Sequence, residues 1–175
     1  MDEPNAFTSD ERATIREAVA IAHKTVWAAM TTVDAGGRPR NRVVHPVWVF
    51  DGNTLTGWLT TRRTPLKSRH LAANPHVSLA YVGATTDFAY FDCTAEWVDD
   101  LAGRQECWDA FLGADEPVRY NPATIWPEGP GATNFAALRF RPYRVQAARA
   151  ATIAAGSPPA LVRLAAADGS PASVG

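Results

Sequence analysis

Two closely spaced turn signals constrain the fold of this chain more than any other feature of its sequence. Residues 34–37, Asp-Ala-Gly-Gly, and residues 51–53, Asp-Gly-Asn, each combine Asp with Gly, which is typical of tight hairpin turns. They separate three runs rich in β-branched and aromatic residues, at 26–33, 42–50 and 54–61. Consecutive hairpins build an antiparallel meander, so the pattern excludes a doubly wound parallel sheet, whose strands need long crossover connections.

The remainder of the chain adds helices and further strands to this meander. Helical spacing of apolar residues and capping signals predict helices over 9–23, 64–74 and 99–112. Strands are predicted at 76–82, 88–98 and 134–145, with an irregular loop over 113–132. Six antiparallel strands with peripheral helices are best satisfied by a barrel. We therefore predict a mainly β, α+β domain whose core includes Met30, Phe91 and Phe111.

Both ends of the chain are predicted to lie outside this barrel. The 175 residues fit one domain, which we place at 9–148, after a flexible N-terminal arm at 1–8. Residues 149–175 are predicted to form a flexible tail, because the chain after Gly156 is mostly Ala, Pro and Ser. Deleting the residues after Gly156 should therefore leave folding nearly intact.

Charge and cysteine content exclude several classes of function. The 17 Lys and Arg nearly balance 18 Asp and Glu, which argues against a general nucleic-acid or membrane-surface protein. No apolar run is long enough to span a membrane, and the acidic N-terminus lacks the positive start of a secretory signal. The 2 Cys and 4 His have no metal-ligand spacing. We predict no metal site and a cytoplasmic protein with reduced thiols.

A basic segment interrupts this balanced composition. From Arg38 to His70 the chain holds seven Lys and Arg residues against the single acid Asp51. Within this segment, residues 60–65, Thr-Thr-Arg-Arg-Thr-Pro, run from a strand end into a helix start and are followed by Lys67. Free N–H groups at a helix start and these side-chain donors can converge on one phosphate, with Arg42 on the preceding strand adding charge. The pattern favours a phosphate-bearing ligand; the alternative is a solvated basic face.

Several short motifs around this segment, in order and with matching spacing, resemble the pyridoxamine 5′-phosphate oxidase-like family. They are Val44-His45-Pro46-Val47-Trp48, the Asp51-Gly52 turn, Thr60-Thr61, Lys67, Leu71 and residues 74–79, Asn-Pro-His-Val-Ser-Leu. The resemblance extends over about residues 10–147 and implies a flavin-binding split β-barrel. It also implies a homodimer with cofactor sites between the subunits, which hold FMN, or alternatively the deazaflavin F420 or, in a minority of members, haem.

The resemblance further implies which residues contact the cofactor. Thr60 and Thr61 match positions that contact the flavin or its ribityl chain, and Lys67 matches the phosphate-binding lysine. A strand whose backbone edges the ring system is matched by five consecutive residues: Arg42, Val43, Val44, His45 and Pro46.

The family pattern is broken directly before the matched lysine. The family oxidases usually have Arg at that position, where this sequence has Leu66. Arg62, Arg63 or Arg69 would then supply the missing charge. The oxidases' C-terminal substrate-binding segment also has no counterpart here, so the vitamin B6 oxidase reaction itself is not expected.

The tryptophans and His45 each have two open interpretations. A planar ring stacks well on indole, so Trp48, Trp58 or Trp126 could face the cofactor, and Trp126 in the 113–132 loop is the preferred candidate. The alternative is that each is a core or interface aromatic. His45 is a candidate acid or base, and the alternative is that it has a structural role. No catalytic residue is assigned.

These features together predict a flavin-type oxidoreductase that transfers two electrons between FMN and a small molecule. In such a protein the cofactor supplies the chemistry, and the chain supplies binding, orientation and charge. The alternatives are an F420-dependent reductase and a non-catalytic flavin- or haem-binding protein.

Overall fold

The structure is a computed structural model that describes residues 7–164. The predictions for residues 1–6 and 165–175 lie outside this range. The elements in chain order are α1 Ser9–Thr25, β1 Ala28–Val33, β2 Pro39–Val44, β3 Val47–Phe50, β4 Leu55–Thr61, α2 Pro65–Ala73, β5 His76–Val82, β6 Phe88–Val98, α3 Leu101–Gly113, a 3-10 turn Pro122–Thr124, β7 Ala136–Ala148, α4 Ala150–Ala154 and β8 Ala160–Arg163. Within the described range, none of these helices is both long and apolar enough to cross a membrane.

The strands form one antiparallel sheet whose two edges are consecutive in the chain. The order is β2-β1-β5-β6-β7-β4-β3, and β8 pairs with β7. Only His45 and Pro46 separate the edge strands β2 and β3, so the sheet must curl until its edges lie within a few residues' reach. Among the described strands no ladder joins β2 to β3, which leaves a seam in the barrel. This architecture confirms the predicted mainly β, α+β split barrel.

The structure has eight strands where the sequence predicts six, because two segments differ from expectation. The run at 42–50 is divided at His45-Pro46, where proline has no N–H with which to continue a ladder. Within the predicted flexible tail, residues 160–163 form β8 and pair with β7, and Val162 and Leu164 are buried. The tail prediction is thus corrected at these residues. A strand of only four residues in an Ala/Pro-rich stretch shows too little alternation of apolar and polar residues to be predicted from the sequence.

The buried apolar residues form two clusters on opposite faces of the sheet. Adjacent residues of one strand point to opposite faces, so Leu138 of β7 lies in the first cluster and Ala137 in the second. The first cluster fills the space between the sheet and α1 and includes Met30 and Phe91. The second packs α3 and the 113–135 segment against the other face and includes Phe111. All three predicted core residues are fully buried.

Trp48 lies in the first cluster, at a close approach between β3 and β4. Its indole stacks on Phe91 with ring centroids 4.0 Å apart, and its Nε1 donates to the Tyr81 hydroxyl at 2.9 Å. Gly57 lies directly opposite Trp48, and a Cβ there would come within 2.6 Å of the indole. Glycine is therefore needed at this position, and Trp48 is a core aromatic.

Candidate anion-binding site

The basic residues singled out in the sequence converge at one end of the barrel. Every second side chain of a strand points to the same face of the sheet. At this end of the barrel, the side chains on the face of the first cluster are polar instead of apolar. These are Thr32 of β1, Arg42 of β2 and Thr61 of β4, each two residues from a core member. Helix α2 lies over them and contributes the buried side chains of Lys67 and His70. The site thus spans the seam between the two edges of the sheet.

Lys67 is the most unusual residue of this group, because its side chain is only 6% exposed. Its Nζ donates to Thr61 Oγ1 at 2.6 Å. Burial, together with the positive charge of Arg42, lowers the Lys67 pKa to about 8. No carboxylate among residues 7–164 forms an ion pair with it. A buried cation without a counter-charge is costly, so the site is complementary to an anion.

The start of α2 adds backbone donors to the same place. Thr64 is the N-cap residue and Pro65 occupies the first turn, as the sequence predicts. The Thr64 side chain makes no capping hydrogen bond, so the first-turn N–H groups keep their capacity to donate. Lys67 lies in this first turn, so its ammonium and the positive end of the helix dipole act together on an approaching anion.

Arg42 approaches this group from the neighbouring edge strand. Its Nη1 donates to Thr32 Oγ1 at 2.6 Å, and Thr32 Oγ1 lies 3.0 Å from His70 Nδ1. Burial and the nearby Arg40 lower the Arg42 pKa, and Arg42 in turn lowers that of Lys67. The two cations are therefore close enough for the charge of one to act on the other.

The two arginines that follow Thr61 have different surroundings. Arg63 is paired with Asp99 at 2.8 Å, and its guanidinium lies 4.9 Å from the centre of the Trp97 ring. Arg62 is exposed and forms no ion pair with the described part of the chain. Of these two, Arg62 has the uncompensated charge with which to replace the arginine expected before Lys67.

Thr60 and His45 lie apart from the Lys67 group. Because successive strand residues point to opposite faces, Thr60 faces away from Thr61 and its hydroxyl is hydrogen-bonded to that of Tyr120. His45 Nε2 donates to the Val118 carbonyl at 2.8 Å, and burial lowers the His45 pKa. The His45 ring lies next to those of Tyr120 and Trp27, with centroids 5.2 and 5.1 Å away.

The rest of the predicted ring-edging strand follows the same alternation. Val44 is buried in the first cluster, while Val43 is 75% exposed on the outer face. Pro46 is buried at the seam. The structure therefore brings together Arg42, Thr61 and Lys67, and divides the other predicted residues between the core and the outer face.

Trp126 and Trp58 are buried in the second cluster rather than facing the Lys67 group. Trp126 is 4% exposed, packs edge-on against Phe135 with centroids 5.1 Å apart, and donates from Nε1 to the Asn134 carbonyl at 3.3 Å. At this exposure its ring has almost no surface left for a cofactor. This arrangement favours the core interpretation over the stacking interpretation.

Three residues of the site are missing from the sequence prediction: Thr32, His70 and Trp97. Trp97 lies 5.8 Å from Lys67 Nζ, measured to the ring centre, on the face of β6 that packs against the first cluster. The alternation of residues 88–98 predicts that face, but which strand and helix lie next to it depends on the sheet order. No local pattern contains that information.

The lowered pKa of Lys67 makes the stability of the ligand-free protein depend on pH. The lysine pKa falls from 10.5 to about 8 on folding, so between these pH values the unfolded chain binds the extra proton. Stability should therefore rise with pH through this window. We expect Lys67→Met to be more stable than the wild type at pH 7, with a smaller difference at pH 10. Urea unfolding at both pH values measures this, and a difference independent of pH would contradict it.

Comparisons with known proteins agree with the fold. The family model described as pyridoxamine 5′-phosphate oxidase matches residues 14–149. No curated protein matches the chain. Several solved structures do, at low sequence identity, and they establish the fold.

One is a Clostridium acetobutylicum protein related to general stress protein 26, of the pyridoxinephosphate oxidase family, with 17% identity, a TM-score of 0.65, and 89% of this chain and 96% of that chain covered. A pyridoxamine 5′-phosphate oxidase-related, FMN-binding protein from Nostoc punctiforme has 15% identity and a TM-score of 0.57 over 82% and 86% of the two chains. A haem-binding protein from Mycobacterium smegmatis has 18% identity and a TM-score of 0.62 over 93% of this chain and 60% of its own. The family match spans most of the chain and includes the whole anion-binding group, and the chain belongs to the pyridoxamine 5′-phosphate oxidase-like family.

Proposed function

We propose that this chain binds FMN, with the phosphate at the Lys67 site, and acts as an oxidoreductase on a small molecule. One observation carries the proposal: a buried ammonium without a described carboxylate partner, close enough to the half-buried Arg42 for the charge of Arg42 to act on it. Two cations and the N–H groups of a helix start suit a dianionic phosphate monoester, which is the terminal group of FMN. The phosphate of F420 is a singly charged diester, which needs less positive charge.

The residues present fit this group in stated roles. Lys67 and Arg42 would hold the phosphate, Thr61 would position the Lys67 ammonium, and exposed Arg62 would add charge at the rim. When bound, the flavin would supply two-electron transfer, and the chain would supply orientation and electrostatics.

The edge strand β2 supports the placement of the ring. One side of β2 pairs with β1, and the other side has no partner among the described strands. Its backbone N–H and C=O groups on that side are free to pair with the polar edge of a planar ring. Val43 and its neighbours therefore suit the ring-edging role that the family resemblance implies.

Absorbance spectroscopy and mass spectrometry of the purified protein, followed by titration with FMN, riboflavin, F420 and haem, test the proposal. We expect a yellow protein that holds FMN, prefers it to riboflavin, loses colour with a reductant and regains it with an electron-accepting substrate. Binding of F420 alone, a Soret band, or no ligand would each overturn it. FMN binding without turnover on any acceptor would leave a flavin-binding protein and overturn the enzymatic part.

We also propose a homodimer with the cofactor sites between subunits. Large apolar side chains near the seam support it: Trp27 is 59% exposed and Val43 is 75% exposed. A stable dimer of this kind should bury more than about 2,000 Å² in total. Sedimentation at micromolar concentration should give a dimer, and a stable monomer would contradict both the interface and the shared site.

A further inference from the structure

A chain of two hydrogen bonds lies behind the anion-binding group. Arg42 Nη1 contacts Thr32 Oγ1 at 2.6 Å, and Thr32 Oγ1 contacts His70 Nδ1 at 3.0 Å. Thr32 is fully buried and His70 is 5% exposed, so neither side chain relies on bulk water. The proposed function assigns no role to Thr32 or His70.

The donor and acceptor groups of the three side chains determine which residue donates in each of the two hydrogen bonds. A guanidinium can only donate, so Thr32 Oγ1 accepts from Arg42. The single Thr32 hydroxyl hydrogen is then available for His70 Nδ1, which accepts it in the neutral Nε2–H form of the ring. If Nδ1 instead carried the proton, both groups would donate to Thr32, and the buried hydroxyl hydrogen would lose this acceptor. The order Arg42 to Thr32 to His70 therefore gives the buried Thr32 hydroxyl both a donor and an acceptor.

The position of His70 links this chain to Lys67. The two residues are three apart in α2 and lie on the same face of the helix. One face of α2 thus carries the Lys67 ammonium itself, and through His70 and Thr32 it also holds the Arg42 guanidinium. Lys67 and, through Thr32, Arg42 are therefore both tied to the same face of α2.

We propose that Thr32 and His70 are positioning residues that hold the Arg42 guanidinium where it and Lys67 meet the same phosphate. They thereby make the site selective for a phosphate monoester over the same ring compound without phosphate. This inference rests on the proposed function, because it concerns the ligand's phosphate. A side chain fixed before binding gives up less conformational entropy on binding, which is how such residues increase affinity.

Thr32→Val tests the inference, since it keeps the shape of the side chain and removes the hydroxyl. FMN and riboflavin affinities are measured by calorimetry, with inorganic phosphate as a competitor. We expect a roughly tenfold loss of FMN affinity, about the contribution of one charge-assisted hydrogen bond, with riboflavin unchanged. Thr32→Ser should restore FMN binding. Thr31→Val is the matched control, because Thr31 is the adjacent β1 residue on the opposite face, bonded to Asn41.

A double-mutant cycle with Arg42→Met separates positioning from packing. If Thr32 acts through Arg42, then Thr32→Val should cause little further loss of FMN affinity once the guanidinium is gone. Equal losses with and without Arg42, or equal losses of FMN and riboflavin, would overturn the inference. Should Thr32→Val fail to fold, His70→Asn, which keeps an acceptor near Nδ1, is compared with His70→Leu, which removes it. We expect the preference for FMN to persist in the first variant and fall in the second.

The results for the wild type and the variants distinguish a failure of the positioning role from a failure of the proposed FMN binding. A wild type that binds FMN no better than riboflavin overturns the proposed function, and this inference with it. A wild type that prefers FMN, with Thr32→Val and His70→Leu keeping that preference, overturns the positioning role alone.

Discussion

Lys67→Ala should weaken FMN binding by roughly 10- to 150-fold, which corresponds to about 1.5–3 kcal/mol for one charge-assisted contact. Riboflavin binding should change little, because riboflavin has no phosphate. The effect should be large because the Lys67 ammonium is buried and held by Thr61 at 2.6 Å, so the anion meets a fixed charge with little water around it. Fluorescence titration of both compounds against both proteins measures the difference.

Arg69→Ala is the matched control for this experiment. Arg69 is an exposed cation on the same helix, so its loss changes the net charge equally without touching the buried group. If Lys67→Ala and Arg69→Ala weaken FMN by the same small factor, the basic segment is a solvated face. The site assignment would then be wrong. Lys67→Ala should fold, because removing an uncompensated buried charge does not destabilise the ligand-free protein.

A chain truncated after Gly156 should lose much of its stability, contrary to what the composition of this segment predicts. The truncation removes β8 and the buried side chains of Val162 and Leu164 from the first cluster. Two such side chains contribute about 3–6 kcal/mol together. That is a large part of the 5–15 kcal/mol by which domains are typically stable. The melting temperature should therefore fall by roughly 10 °C or more.

A chain that ends at Leu164 provides the control for this truncation. It keeps β8 and both buried side chains, so the difference in melting temperature between the two truncated chains measures their contribution. A second control is available within β8: Leu161 is 40% exposed, so Leu161→Ala should cost less than Val162→Ala. Equal melting temperatures for the two truncated chains would contradict the packing of β8.

The parts of the fold that the sequence predicts correctly are those with local causes. The two hairpins follow from turns in which Gly37 and Gly52 adopt φ values of 78° and 101°, a region that favours glycine. The start of α2 follows from Pro65 and the approach of Lys67 to Thr61 from their short separation. Each of these features is determined by a few consecutive residues, and a single sequence displays it directly.

The features that escape prediction depend on contacts between distant segments. Thr32 has an ordinary place in a strand, and only the docking of α2 brings His70 against it. Trp126 looks available in a Pro/Gly-rich loop, but packing against Phe135 buries it. The first outcome is decided by where α2 docks on the sheet, and the second by how the 113–135 segment packs against the other face.

The seam between β2 and β3 has a consequence for how the chain reaches its native state. The two strands are neighbours in sequence and lie at opposite edges of the sheet, so the native barrel requires pairing between distant segments, such as that of Trp58 in β4 with Arg139 in β7. Such distant pairings make folding slow. Arg42 lies on one side of this seam, and Thr61, with Lys67 hydrogen-bonded to it, lies on the other. A ligand that contacts both sides of the seam therefore selectively stabilises the closed barrel.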